Sequence, residues 1–259
     1  MGYYGGFAPY VRVADRKKNA EREAAKLKKK GKVVRPVVIT GRMIATTFWG
    51  KAWCDNIESY SHCENRLKRG RTYVRNGSVI DLTLTMGEVN ALVSGSSVYK
   101  VKIKVTSIAA DKWKLLVKEC AGKIESLVEL LQGKLSKNIM EIITRPSQGL
   151  FPHAKEIHLS CSCQDGTYMC KHVAATLYGV GARLDETPED LFVLRNADYA
   201  TLMAEASQST LASTSIKEMK TLEGSDLSAL FGIEMEDATI LPEKKVIKKR
   251  LPKSSQKQK

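Results

Sequence analysis

Three cysteines and a histidine fall within twelve consecutive positions of this 259-residue chain: Cys161-Ser162-Cys163, a six-residue gap, then Cys170-Lys171-His172. Thiolate and imidazole are the ligands zinc prefers, and a closed structural site needs four of them at tetrahedral corners. The local conformation that would satisfy this is narrow. In an extended segment residues i and i+2 point to one side, so Cys161 and Cys163 can reach a single ion; in a helix they would diverge by about 200°. Ile157, Leu159, Cys161 and Cys163 then share one face, and His158, Ser160 and Ser162 the other. The spacing predicts a strand over Glu156–Cys163, a turn at Gln164-Asp165-Gly166 that doubles the chain back, and a helix over Lys171–Ala182. Cys170 would stand just before that helix and His172 in its first turn. The competing readings are buried core cysteines or a redox pair.

The C-x-C…C-x-H spacing is not that of a two-Cys two-His finger. It resembles the SWIM zinc finger, with Glu156-Ile157-His158-Leu159-Ser160 leading in and Lys171-His172-Val173-Ala174-Ala175-Thr176-Leu177-Tyr178 leading out. More widely, the chain resembles the bacterial SWIM zinc finger family proteins. The matching stretches are Phe48-Trp49-Gly50-Lys51-Ala52-Trp53-Cys54, Glu64-Asn65-Arg66-Leu67, Arg69-Gly70-Arg71-Thr72-Tyr73-Val74-Arg75-Asn76-Gly77 and Gly179-Val180-Gly181-Ala182-Arg183-Leu184. The resemblance covers about residues 40–195, extends to the Tyr3–Tyr10 start, and leaves out the C-terminal tail. It implies a ββα zinc module with one structural Zn2+ on Cys161, Cys163, Cys170 and His172. It also implies a role in binding DNA or protein, often beside a Swi/Snf-type helicase-like ATPase.

The rest of the chain reads as α+β, an antiparallel meander packed with helices. Trp49, Ala52, Trp53, Ile57 and Tyr60 recur at helical spacing and form one apolar stripe. After Gly70 the period changes to two, and Arg75-Asn76-Gly77-Ser78 is a two-residue hairpin signal joining strands Arg71–Arg75 and Ser78–Thr85. Turns at Met86-Gly87 and Gly95-Ser96 lead into strands Glu88–Ser94 and Val98–Val105. Along the last, Tyr99, Val101, Ile103 and Val105 face one way, and Lys100, Lys102 and Lys104 the other. Helices follow: Lys112–Ala121 capped by Asp111, Ile124–Leu131, Ser136 through Ile143, and Pro188–Leu194 with Thr187 as its cap. Cys54, Cys63 and Cys120 read as buried hydrophobes, and His62, His153 and His158 as surface or capping groups.

Charge divides the chain. Of a net +14, residues 1–35 carry 11 basic against 3 acidic side chains and residues 243–259 carry 8 against 1. So basic a stretch buries too little to offset its ordering entropy. The expected organisation is therefore a largely disordered basic segment 1–36, an α+β domain 37–145, the zinc module with its following helices 146–198, and an acidic then basic tail 199–259. For the first of these a lone solvated helix is the alternative. Arg66, Lys68, Arg69, Arg71 and Arg75, with Lys100, Lys102 and Lys104, suggest one surface for DNA or RNA, read through phosphate without sequence preference. The alternative is a solvated face that discourages edge-to-edge pairing.

No run of about 18 apolar residues and no charged region leading into an apolar leader occurs. A cytoplasmic protein with reduced cysteines is expected, with no membrane contact and no small-molecule substrate. No Walker A sequence, H-E-x-x-H or nucleophile elbow appears, and four protein ligands would close a zinc site to catalysis. The expectation is a non-enzymatic nucleic-acid-binding accessory factor. The alternative is a protein–protein adaptor using the zinc module and the acidic 146–242 half, including Leu227–Phe231.

Overall fold

Four strands form one antiparallel sheet in the order β1-β2-β3-β4: β1 (Val79–Thr85), β2 (Glu88–Ser94), β3 (Val98–Val105) and β4 (Ile157–Cys161). The computed structural model describes residues 11–60, 64–121, 123 and 136–213. Leu82 lies opposite Ala91, Ala91 opposite Val101, and Val101 opposite Cys161, so one apolar face runs unbroken across the sheet into the cysteine segment. A two-residue turn with Gly87 at φ 67° joins β1 to β2, a left-handed geometry that favours glycine. β3 alternates as its sequence demands. Val101, Ile103 and Val105 are buried, while Lys100, Lys102 and Lys104 are exposed on the opposite face.

Eight α-helices complete the described chain: α1 (Val13–Lys29), α2 (Phe48–Glu58), α3 (Glu64–Arg75), α4 (Ala110–Cys120), α5 (Lys137–Ile143), α6 (Lys171–Glu186), α7 (Asp190–Arg195) and α8 (Tyr199–Ser213). A single 3₁₀ turn, Ala154–Glu156, precedes β4. The architecture is thus α+β. α6 packs against all four strands on one side and against α2 and α3 on the other. Eleven of its sixteen residues are buried, which is why it reads as apolar almost all round rather than as a one-sided stripe. Small residues set the close approach. A Cβ on Gly70 would lie 2.4 Å from the Ala174 methyl, and one on Gly181 would lie 2.9 Å from Cys54 Sγ. Trp53 and Trp49 of α2 donate their indole N–H groups to the Leu177 and Leu184 carbonyls, at 2.9 and 2.8 Å. The Asp185 carboxylate accepts from the backbone and hydroxyls of Thr46 and Thr47, fixing the start of α2 against the end of α6.

Several sequence expectations change. Arg71–Arg75 is the end of α3, not a strand, and Asn76-Gly77 stops that helix instead of turning a hairpin. Gly77 N–H bonds the Val74 carbonyl and Ser78 N–H the Tyr73 carbonyl, with Gly77 at φ 66°. This is a Schellman C-terminus, which uses the same left-handed glycine that a tight hairpin would. The fourth strand of the sheet is β4, from far along the chain. Segments 37–145 and 146–198 therefore share one sheet and one core.

The basic N-terminal segment is not disordered over Val13–Lys29. α1 contacts β1 and β2, burying Ala20 and Arg16, the latter with its guanidinium 4.6 Å from the Tyr73 ring centre. The tail assigned from residue 199 begins with α8, where Leu202 and Ala206 are fully buried. α4 has no side-chain cap, Asp111 lying inside its first turn. α6 runs past Ala182 to Glu186, because Gly181 packs closely on Trp53 and Cys54 of α2 while Gly179 faces Val37 and, on β1, Leu82. Pro188 falls in a turn ahead of α7, with the Thr187 hydroxyl on the Asp190 carboxylate at 2.7 Å. Ile124–Leu131, Leu227–Phe231, Cys63, His62 and the C-terminal basic run lie outside the described residues. Among the described residues, no helix is long and apolar enough to cross a membrane.

Candidate metal centre

β4 leaves β3 with Cys161 on the face that meets α6, and the chain bends so that Cys163 returns to the same side. Cys170 is the N-cap of α6, its sulfur accepting from Val173 N–H at 3.5 Å, and His172 stands in the first turn. The ligand atoms of Cys161, Cys163, Cys170 and His172 all lie within 4.8 Å of one another. His172 Nδ1 is 3.9 Å from Cys161 Sγ and 3.8 Å from Cys170 Sγ. A tetrahedral ion with bonds of about 2.3 Å to sulfur and about 2.1 Å to nitrogen needs its ligands roughly 3.6–3.8 Å apart. The four residues fit one metal ion, with Nδ1 as the nitrogen that points inward.

Backbone donors converge on the sulfurs. Cys163 N–H points at the Cys161 sulfur, Asp165 N–H at that of Cys163, and Val173 N–H at that of Cys170. The Cys170 thiol is pulled down to about 3 by donation from Cys161, with further help from His172 and Val173. The Cys161 thiol is pushed up, chiefly because it donates to Cys170, and the Cys163 thiol is pushed up by burial. Left to themselves, three thiols in this space favour one thiolate, since adding a second negative charge nearby is unfavourable. A divalent cation would reverse that preference and take all three as thiolates.

The imidazole is held by its surroundings. Tyr99 stacks on His172 with ring centres 4.1 Å apart, and Tyr73 meets it edge-on at 5.5 Å. Arg16 and Lys171 lie over the Tyr73 ring. Gly95 backs the stack: a Cβ there would come within 2.9 Å of the Tyr99 ring and 3.2 Å of His172 Nε2. On the loop, Arg66 reaches from α3 to the Asp165 carboxylate at 2.7 Å, and Thr167 donates to the same group at 2.9 Å.

Sequence reasoning singled out the four residues that converge and missed Arg16, Tyr73, Gly95 and Tyr99 around them. Tyr99 carried a signal, as the aromatic residue leading the buried face of β3. The other three belong to elements whose approach to His172 only the fold decides.

The eight basic residues expected to form one surface do not share a strand face. Arg66, Lys68, Arg69, Arg71 and Arg75 are on α3, which packs on α6, whereas Lys100, Lys102 and Lys104 stand on the sheet face that α6 leaves uncovered. Several are engaged: Arg66 with Asp165, Lys68 with Glu64, Arg71 with Glu58 and the Tyr178 hydroxyl, and Lys102 with Glu88. Arg69, Arg75, Lys100 and Lys104 are exposed. Cys120 is buried and Cys54 half-buried, and burial pushes their thiols up to about 11 and about 12. His153 caps the turn before β4, its N–H bonded to the Glu156 carboxylate at 2.7 Å, and His158 is exposed.

No family model matches the chain, and no solved structure matches it. Uncharacterized protein Rv2102 of Mycobacterium tuberculosis is 34% identical over 164 residues, which are 62% of this chain and 59% of that protein. The chain therefore spans well under two thirds of that relative's length.

Proposed function

We propose that this chain is a non-enzymatic zinc protein of the SWIM type, in which one structural Zn2+ joins the end of β4 to the start of α6 through Cys161, Cys163, Cys170 and His172. The observation that carries this reading is the convergence of the four ligand atoms within 4.8 Å. Soft sulfur and imidazole donors in a four-coordinate space favour zinc over oxygen-seeking ions such as magnesium or calcium. Four protein ligands close the coordination sphere, so the ion supplies folding energy and no open site for chemistry. Protein purified without added metal carries one zinc per chain by elemental analysis. Cobalt substitution gives the absorption of a tetrahedral thiolate site. Preparations with no stoichiometric metal overturn the reading.

The role proposed for the module is phosphate-led contact with DNA or RNA as an accessory factor, with a Swi/Snf-type ATPase as the partner that the family resemblance implies. Its support is the exposed row Lys100, Lys102 and Lys104 on one sheet face. The exposed bases of α1, Lys17, Lys18, Lys28 and Lys29 among them, add to it. Each phosphate neutralised adds about 0.9 to the log–log salt slope for duplex DNA. K100E/K102E/K104E therefore lowers affinity and flattens the slope by up to about 2–3; an unchanged slope removes these lysines from the interface. The adaptor reading, drawn from the zinc module and the acidic 146–242 half, gains a further feature: among the described residues no strand pairs with the outer edge of β4.

A further inference from the structure

Among the described residues the sheet ends at β4, and the hydrogen-bond pattern fixes which backbone groups that end turns outward. Ser162 N–H bonds the Lys100 carbonyl at 3.0 Å and Thr106 N–H the Glu156 carbonyl at 2.9 Å, while Lys102 pairs with Ser160 and Lys104 with His158. The even-numbered residues thus turn their backbone groups toward β3. In an antiparallel ladder the residues between them turn theirs the other way. These are Ile157, Leu159 and Cys161. The Tyr168 hydroxyl donates to the Ile157 carbonyl at 3.1 Å and closes one end of the edge. The N–H and C=O groups of Leu159 and Cys161 face outward beside a cleft of about 320 Å³. Its lining includes Leu159, the three cysteines and Asp165 to Tyr168.

Edge strands in native proteins are commonly blunted by proline, by charge or by a covering element. Ile157-His158-Leu159-Ser160-Cys161 contains no proline, lysine or acid. We propose that this edge is a docking site for an extended peptide, which adds as a fifth strand. Strand addition draws affinity from main-chain hydrogen bonds and specificity from alternate side chains. Side chains of the added strand on the cleft side meet the half-buried Leu159 and the exposed Tyr168 ring, and apolar residues suit that row. Those on the opposite side lie along His158 and Ser160 with Lys102 and Lys104 on the next strand, and acidic residues suit that one. The partner is therefore a segment of alternating apolar and acidic residues, and its recognition does not depend on which ion the cysteines hold.

The test uses the full-length, metal-loaded protein, isotopically labelled, with metal content measured on the same sample. The probe is a terminally blocked Val-Glu-Val-Glu-Val peptide. The Leu159 and Cys161 amide resonances shift on titration, and their hydrogen exchange slows by about tenfold or more at saturation. Methylating the peptide nitrogens that face the edge abolishes the effect. Val-Lys-Val-Lys-Val binds roughly tenfold more weakly, and K102E/K104E reverses the order of the two peptides. The proposal fails if neither amide responds at millimolar peptide, or if the N-methylated peptide binds equally well. It also fails if both amides are already protected in a concentration-dependent dimer, which would make a second copy of the chain the occupant.

Discussion

Val93, Ile103 and Ala174 are completely removed from solvent in the layer between the sheet and α6, whereas of the eight residues 162–169 only Met169 is buried. The two regions touch at Cys161 and Cys170 and are held by different forces. The layer is closed by solvent exclusion, worth about 25 cal/mol per Å² of apolar surface and indifferent to ions. The loop has almost no apolar surface to withdraw, so its conformation rests on the backbone N–H donors to the sulfurs, the Arg66–Asp165 pair and, in the proposed zinc form, the four ligand atoms. Cohesion by packing and cohesion by ligation can therefore be broken separately.

Trp53→Ala strikes the packed region. It opens a cavity beneath α6 and removes the indole donor to the Leu177 carbonyl, costing about 3–5 kcal/mol. Chemical denaturation reads that loss, while metal content per folded chain stays at its original value.

Glu156→Ala removes the carboxylate from the buried Arg195 guanidinium, leaving it only the Thr106 carbonyl among the described residues, and costs about 3 kcal/mol. Burial pushes the Glu156 carboxyl up, but donation from Arg195 and His153 N–H outweighs it and holds the group below its ordinary 4.5. An acid depressed in the fold contributes stability above its unfolded pKa and loses it as pH falls through the folded one. The difference between wild type and Glu156→Gln should accordingly be full at pH 7 and shrink below pH 4, as measured by denaturation at both.

Cys163→Ser strikes the other region. It releases the metal and removes amide protection over 157–172, but costs the global transition only about 2 kcal/mol because the layer closes without it. Chelation of the wild type reproduces that pattern. If either treatment unfolds β1 to β3 as well, the two regions are not separable.

Gly95→Ala probes their junction. The added methyl displaces Tyr99 or the imidazole, costing about 1 kcal/mol and weakening metal retention against a competing chelator by about tenfold. Arg66→Ala, at a half-exposed pair, costs less than about 1 kcal/mol and loosens the loop without releasing the ion.

The four converging side chains and their phase were legible because both are local. Alternation in Ile157–Cys163 aims two sulfurs one way, and a cysteine at the cap puts the third beside a histidine one turn into a helix. β1, β2 and β3 were legible for the same reason, each carrying its own period. Arg71–Arg75 was not. Its residues suit a strand or a helix, and the left-handed glycine after them serves a hairpin and a Schellman end equally. Packing against α6, where Gly70 meets Ala174, settles it as helix.

By itself, then, the amino-acid order determined which atoms can bind an ion, that β1 to β4 are extended and which of their faces are apolar, since these depend on neighbours two to four positions away. The tertiary structure alone decided that β4 is the fourth strand, that Arg16 of a basic helix is buried over Tyr73, and that the basic residues of α3 lie apart from the lysines of β3. Those outcomes depend on which distant surfaces exclude water together, and no short window of sequence carries that information.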